Sequence, residues 1–308
     1  MDFIEPPNDE LNDSPEFSPG HRAGFVAIIG RPNAGKSTLL NAILEFKLAI
    51  ATHKAQTTRH QILGILSEAA HQMVFLDTPG IIEPEYKLQE AMMQAVARST
   101  KDADVLLHLV DATRPADEER VWKYMHASGK PAVLVINKVD AAGDEVVDAI
   151  KAACTAAFAY REIAAISAAR GTGLDELKMA LGRQLPLSPP LYPPDQLSEH
   201  PVRFFVSELI REQIFLQYAQ EIPYSCTVTI SSFKEEEKMD HIHAEIIVNR
   251  DSQKGILIGK GGMKLKKLGT KAREQIEQLT GRKANLQLFV KVREKWRDKD
   301  SYLRGYGY

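Results

Sequence analysis

Four short runs hold residues whose types and spacing suit phosphate and purine chemistry. "GRPNAGKST", residues 30–38, fits G-x-x-x-x-G-K-[ST] through Gly30, Gly35, Lys36 and Ser37. Glycines let backbone N–H groups approach an anion, a lysine ammonium neutralises β/γ oxygens, and a serine hydroxyl ligates Mg²⁺. Arg31, Pro32, Asn33, Ala34 and Thr38 complete the expected phosphate cradle. "VFLDTPG" carries Asp77 and Gly80 in a D-x-x-G arrangement, with a carboxylate to hold Mg²⁺ through water and a glycine N–H to reach a γ-phosphate. "VINKVD" adds Asn137, Lys138 and Asp140. This run chooses the base: guanine offers N1–H and N2–H₂ to one carboxylate, whereas adenine would leave Asp140 unpaired, and such hydrogen bonds discriminate by about 10⁴ or more. "ISAARG" places Ser167 and Ala168 where a backbone could meet guanine O6. The expected ligands are GTP or GDP with Mg²⁺.

These runs need a scaffold that holds them at one edge. Short apolar stretches, "GFVAIIG", "HQMVFLD", "DVLLHLV", "PAVLVIN" and "EIAAIS", read as buried strands, and helical patterns follow most of them. Such alternation predicts an α/β fold with a mostly parallel sheet and helices on both faces, over residues 23–185. Phosphate and base motifs at strand ends agree with that plan. The six prolines of "PLSPPLYPPDQLSEHP", residues 186–201, disfavour helix and sheet and mark a linker. From residue 202 to 308 the pattern changes to helix, two alternating strands, helix, Gly loop, helix and a last strand, an α+β unit.

Charge separates the two halves. The chain of 308 residues has a formal net charge of −2, yet residues 250 to 308 hold sixteen Lys/Arg against six Asp/Glu. That basic end points to an anionic partner. No apolar run approaches the roughly 18 residues that span a bilayer. The acidic opening, residues 1–22, lacks the plan of a secretory signal and reads as a disordered tail, so a cytoplasmic protein is expected. Cys154 and Cys226 are too few for a disulfide framework and read as buried thiols.

In order and spacing the four motifs resemble the translation-factor-related GTPases. The resemblance sharpens at "HKAQTTRHQILGI", residues 53–65, which looks like the first switch loop of the bacterial Era family. It implies that Thr58, rather than Thr57, joins Ser37 and Asp77 at the metal, and that Lys36, Thr58, Asp77 and Gly80 serve hydrolysis. It also accounts for a second Gly/Lys loop, "LIGKGGMKLKKLG", residues 257–269, which no G-K-[ST] follows. "GKGG" matches the G-x-x-G of a KH domain, which sits between two helices and clamps about four nucleotides of single-stranded nucleic acid. Gly259, Lys260, Gly261 and Gly262, with Lys264 and Lys267 as phosphate neighbours, are the expected RNA contacts. The order of elements after the linker looks like the type II KH arrangement. The family implies binding near the 3′ end of small-subunit ribosomal RNA, a role in assembling the 30S subunit, no DNA partner, and a monomer. K⁺ beside the phosphates, held by Asn33, is a further implied cofactor, and peripheral membrane association has been considered for family members.

Other residues have plainer readings. His241 and His243 alternate on a strand without a third metal ligand nearby. The helix from Lys264 to Lys283 could lie on an anionic membrane, although Leu265, Leu268, Ile276 and Leu279 read more simply as KH core. Trp296 and Tyr302, Tyr306 and Tyr308 could stack on bases or belong to a partly ordered tail. A GTPase switch is favoured over an RNA-binding assembly factor whose nucleotide is structural, because Lys36, Ser37, Asp77 and Asn137/Asp140 are all intact. An ATP-dependent RNA enzyme is disfavoured by "NKVD". Ile81 follows D-x-x-G where many GTPases place a water-orienting glutamine, so slow intrinsic hydrolysis is expected. If Asp140 reads the base, Asp140→Asn weakens GTP and shifts preference toward xanthosine nucleotides. Competition among GTP, XTP and ATP measures this, and an unchanged GTP preference removes Asp140 from the base site.

Overall fold

The computed structural model describes residues 20–114 and 117–308. The expected tail, apart from its last residues, lies outside them. The chain runs through β1 (Arg22–Ile29), α1 (Lys36–Leu44), β2 (Ile62–Ser67), β3 (His71–Asp77), α2 (Lys87–Asp102), β4 (Val105–Asp111), α3 (Glu119–Ser128), β5 (Ala132–Asn137), α4 (Asp144–Ala157), β6 (Glu162–Ile166) and α5 (Leu174–Gln184). After residues 186–201 follow α6 (Val202–Gln217), α7 (Ile222–Ser225), β7 (Cys226–Glu235), β8 (Asp240–Val248), α8 (Asp251–Ile258), α9 (Met263–Thr280), β9 (Ala284–Val292) and α10 (Asp300–Gly305).

Strand order in the first sheet is β2-β3-β1-β4-β5-β6, parallel except for β2. The central strands are apolar at nearly every position because both faces are covered. Val26, Ile28, Phe75, Leu107 and Val135 pack beneath α1 and α5, while Ala27, Ile29, Val74, Leu76 and Leu106 face α2 and α3. Register does the positioning: Ile28 pairs with Asp77, Ile29 with His108, and Asp111 with Asn137, which pairs with Ile166. The four motifs therefore leave the sheet along one edge.

Two strands differ from the expectation. β6 is an edge strand, not a buried one, and Ile163 is 37% exposed. β2 overlaps the end of the stretch assigned to the switch loop. Its "ILGIL" forms an antiparallel hairpin with β3 through residues 68–70, a signal visible as two apolar runs close together.

The second unit is a three-stranded sheet, β7-β8-β9, with β7 antiparallel and β9 parallel to β8. One face carries α6, α8 and α9 through Val206, Ile210, Ile214, Ile242, Ile246, Leu257, Leu268, Ala272 and Ile276. The apolar side of α9 is thus committed to this core.

The proline-rich segment forms neither helix nor strand, but it is not a loose tether. Ile65 N–H donates to Leu197 O at 2.9 Å, and the Ser198 hydroxyl donates to Leu63 O, covering the free edge of β2. Gln72 binds the backbone of Leu191 and Tyr192. The C-terminal segment is likewise no partly ordered tail. Trp296 is fully buried and donates its Nε1–H to Ser225 O at 3.0 Å, so its indole is closed to a nucleobase. Tyr308 stacks on His60 at 4.2 Å, and Phe204 meets the same imidazole edge-on at 5.7 Å.

Burial beside Arg59 and Arg211, opposed by Glu208, pushes the His60 pKa down to about 4. A base whose folded pKa lies below its unfolded value, about 6.5, costs nothing above that pH and increasingly more as pH falls toward 4. Stability should therefore drop by about 2 kcal/mol through this group between pH 7 and pH 5. Urea unfolding of the wild type and His60→Gln at both pH values isolates it: the variant loses that part of the slope.

Candidate nucleotide and RNA sites

The phosphate loop follows β1 and ends on the N-terminus of α1. Two glycines are forced by close approach. At Gly30 (φ 153°) a Cβ would stand 2.4 Å from Leu109 O, and at Gly35 (φ 101°) 2.4 Å from the Asn137 amide nitrogen. Gly80 brings the D-T-P-G turn onto this loop, since a Cβ there would lie 2.7 Å from Pro32 Cα; Ile81 N–H then donates to Gly30 O at 3.1 Å.

Lys36 is buried and donates to Gly30 O at 3.1 Å and Arg31 O at 3.0 Å, folded back on its own loop. Desolvation lowers its pKa to about 8 despite Asp77 and Glu118. Ser37 Oγ donates to Asp77 Oδ2 at 2.7 Å and lies 2.8 Å from Thr58 Oγ1. Asp77 is fully buried, its Oδ1 has no hydrogen-bond partner, and burial pushes its pKa up to about 6. Three oxygens and an orphaned carboxylate oxygen form a hard-oxygen set that fits Mg²⁺. Thr57 points elsewhere, its Oγ1 donating to Lys54 O at 2.7 Å and lying 2.6 Å from Thr52 Oγ1.

Beside the base-recognition loops the structure assigns work that the motifs did not reveal. Asn137 donates to Ala34 O at 2.9 Å and accepts Ala168 N–H at 3.0 Å, tying the phosphate loop to the Ser167–Ala168 turn. Lys138, at φ 66°, reaches Asn33 O at 2.9 Å and Asp111 Oδ2 at 2.6 Å. Asp111, which no motif marked, thereby fixes that lysine. Asp140 remains at the surface, paired with Arg170 at 3.1 Å, and a hydrogen bond from Ser167 holds its carboxyl below the usual range. Arg31 and Thr38 flank the loop, and Thr38 lines the cavity.

That cavity is walled on its far side by the switch loop through Ile50, Ala51, Thr52, Lys54, Gln56, Thr57 and Thr58. The same loop grips the second unit. Lys54 Nζ donates to the carbonyls of Phe215 and Tyr218 at the end of α6. Arg59 is buried and donates to Pro223 O at 2.8 Å and Cys226 O at 2.7 Å. Lys47 pairs with Glu212 at 2.6 Å. The resemblance marks the threonines of this loop, and its basic residues Lys54 and Arg59 are the signal for the contact with the second unit.

About 30 Å³ is one water's share of liquid volume, so the cleft of 390 Å³ between α9 and β9 is roomy. Gly262, Leu265, Lys266, Gly269, Thr270, Arg273, Leu286 and Leu288 are among its lining residues. Gly259, Gly261 and Gly262 all have positive φ, and open space surrounds the latter two, so the turn presents bare backbone. Lys260, Lys264 and Lys267 are exposed around it. Sequence spacing pointed to this loop but not to the cleft floor supplied by β9. Among the described residues no helix is long and apolar enough to cross a membrane, and no cluster of three or more His, Cys, Asp or Glu forms a metal site.

The fold and these sites define a P-loop GTPase-type domain followed by a KH domain. Family models agree: the 50S ribosome-binding GTPase model matches residues 25–138, and the KH domain model matches residues 221–297. The chain is 44% identical to GTPase Era of Geotalea uraniireducens over 290 residues, covering 93% of this chain and 98% of that protein. It is 43% identical to GTPase Era of Lacticaseibacillus paracasei, covering 94% and 97%. The chain belongs to the Era GTPase family. Its structure resembles Era in complex with MgGDPNP and nucleotides 1506–1542 of 16S ribosomal RNA, with TM-score 0.89, 39% identity and coverage of 94% of this chain and 99% of that one. An Aquifex aeolicus Era variant bound to GDP·AlF4⁻ gives TM-score 0.88 at 39% identity, covering 93% and 99%.

Gly80 tests the meeting of the two loops. Gly80→Ala should drive the D-T-P-G turn off Pro32 and weaken a GTP analogue by about tenfold or more while GDP, which has no γ-phosphate to meet that turn, changes little. Titration with fluorescent nucleotides measures both, and equal losses would move Gly80 out of the γ-phosphate contact.

Proposed function

We propose that this protein is a slow, Mg²⁺-dependent GTPase whose nucleotide state sets how its KH cleft holds the 3′ end of small-subunit ribosomal RNA during assembly of the 30S subunit. The observation that carries this reading is the shared switch loop. Residues 50–58 wall the phosphate cavity, while Lys54 and Arg59 hold carbonyls of the second unit. A loop that orders around a γ-phosphate then presents those two cations differently from one that does not.

In the nucleotide complex Lys36 exchanges two loop carbonyls for β/γ oxygens, which relieves the desolvation it suffers alone. Ser37, Thr58 and Asp77 would hold Mg²⁺, which would supply positive charge to the β/γ oxygens and to the buried Asp77 carboxylate. Gly30 through Thr38 cradle the phosphates, Asp140 accepts from guanine, and the Ser167–Ala168 turn backs the base. Asn33 stands at φ 65° with its amide nitrogen donating to His53 O at 3.1 Å, and its side-chain oxygen is the K⁺ ligand that the family resemblance implies. The buried Ile81 offers no side-chain hydrogen bond to the attacking water, in keeping with slow turnover.

In the KH unit the backbone of Gly259–Gly262 clamps phosphates, with Lys260, Lys264 and Lys267 alongside, and bases enter the cleft over Leu286 and Leu288. The relative solved with nucleotides 1506–1542 of 16S ribosomal RNA supports this partner. A ribosomal partner supports a cytoplasmic reading. Leu268, Ala272 and Ile276 of α9 lie inside the KH core and are not available to an anionic membrane.

Lys260→Asp with Gly261→Asp should weaken single-stranded ribosomal RNA by about 3 kcal/mol, since two carboxylates meet phosphate where a lysine stood. GTP affinity should stay put. RNA should bind the GTP-analogue form more tightly than the GDP form, and Arg59→Met should abolish that difference. Titrating labelled RNA against both nucleotide forms decides the matter. Equal affinities in the wild type would leave an RNA-binding GTPase without a switch, and undiminished binding in the double variant would make the Gly/Lys loop only a turn.

A further inference from the structure

Hydrolysis requires a water in line with the γ-phosphate. Its oxygen forms the new bond to phosphorus, the bond from phosphorus to the β–γ bridging oxygen breaks, GDP leaves, and the water's proton passes to the released phosphate or to solvent. Ile81 cannot hold that water. The side chains lining the cavity are mostly engaged already: Lys36 with loop carbonyls, Ser37 and Thr58 with Asp77, Thr52 with Thr57, Lys54 with the end of α6, and Asn33 with His53.

Gln56 stands apart from them. It lines the cavity beside Gly80 and Thr58, and its backbone sits at φ 58°, a conformation that side chains other than glycine's rarely adopt. Its Oε1 accepts the phenolic O–H of Tyr86 at 3.2 Å, and its amide N–H groups have no protein acceptor among the described residues. A carboxamide held by its oxygen presents its donors, which suit a water lone pair or a γ-phosphate oxygen. Tyr86 closes the segment after D-T-P-G, immediately before α2. Across its ring lies the Arg297 guanidinium, 4.6 Å from the centroid, and Arg297 Nη1 donates to Tyr224 O at 3.3 Å. Arg297 follows the buried Trp296, whose Nε1–H is bound to Ser225 O. Gln56 is thereby connected through Tyr86 to a segment anchored on the KH unit.

We propose that Gln56 is a positioning residue for GTP hydrolysis, and that Tyr86 and Arg297 fix its carboxamide, so that the KH unit's C-terminal segment completes the hydrolytic site. The proposal rests on the GTPase reading above. It gives the second unit a direct hold on turnover: whatever unseats Arg297 from Tyr86 frees Gln56 and slows hydrolysis.

Single-turnover hydrolysis and binding of GDP and GDP·AlF4⁻, with Mg²⁺ and the full chain, test it. In Gln56→Ala hydrolysis should slow by about tenfold or more. GDP affinity should hold, while GDP·AlF4⁻ affinity should fall by a comparable factor, because the contact forms mainly in the transition state. Tyr86→Phe keeps the ring and removes only the hydroxyl, and it should move rate and GDP·AlF4⁻ affinity the same way. Arg297→Met should follow, and Arg297→Lys should restore part of both. Gln56→Ala with Arg297→Met should be no slower than Gln56→Ala alone, since both act through one carboxamide. A wild-type rate in Gln56→Ala, or equal losses of GDP and GDP·AlF4⁻, would overturn the positioning role. Wild-type behaviour in both Tyr86→Phe and Arg297→Met would overturn the relay. A wild-type protein that neither hydrolyses GTP nor binds GDP·AlF4⁻ would instead overturn the GTPase reading itself, before any variant is compared.

Discussion

The buried guanidinium of Arg59 is the constraint on which the relation between the two units depends. A charge taken from water is costly unless its donors are used, and Arg59 finds carbonyl oxygens of Pro223 and Cys226 where α7 gives way to β7. Its charge is surrounded by Arg211, Glu208 and the Phe215 ring, with Arg59 5.8 Å and Arg211 5.5 Å from the ring centroid. Glu208 pairs directly with Arg211, so the hydrogen bonds of Arg59 go to neutral carbonyls, and its Nε has no partner. Thr58, whose hydroxyl lies 2.8 Å from Ser37 Oγ, directly precedes it. A displacement of this one-residue step is felt at both ends.

The phosphate site shows the same economy of space. Gly30, Gly35 and Gly80 are not merely flexible; each stands where a methyl group would strike a backbone or amide atom of another loop. With the loops this close, Asn137 can bridge two of them, and Lys36 and Asp77 are both desolvated. Their pKa values move in opposite directions, toward about 8 and about 6, because burial penalises each charged form. The site is therefore held in a state that phosphate and a divalent cation relieve.

The KH unit uses its glycines in another way. Gly261 and Gly262 have open space where a side chain would stand, and their positive φ values close a tight turn between two helices in which Gly262 N–H donates to Gly259 O at 3.1 Å. Burial of Leu268, Ala272 and Ile276 commits the middle of α9 to the core, while Lys264, Lys266, Lys267 and Lys271 stay exposed.

Sequence determined what depends on local order: the phosphate loop, the strand-ending Asp77 and Asn137, the G-x-x-G turn, and the change of architecture near residue 200 are all read from spacing and period. Thr58 could be preferred to Thr57 only by resemblance; in the fold, Thr57 is turned toward Lys54 and Thr52 while Thr58 reaches Ser37. Tertiary structure alone decided the rest. Asp111 meets Lys138, Tyr86 meets Gln56 and Arg297, and Trp296 meets Ser225 across 27, 30, 211 and 71 positions of sequence. No periodicity reports such pairs, because their separation is set by how distant segments pack, within one unit or, for Tyr86 and Arg297, between the two, and not by the pitch of a helix or strand. The proline-rich segment makes the same point: composition excluded helix and strand, but only the exposed edge of β2, with backbone groups needing partners, made those residues pack.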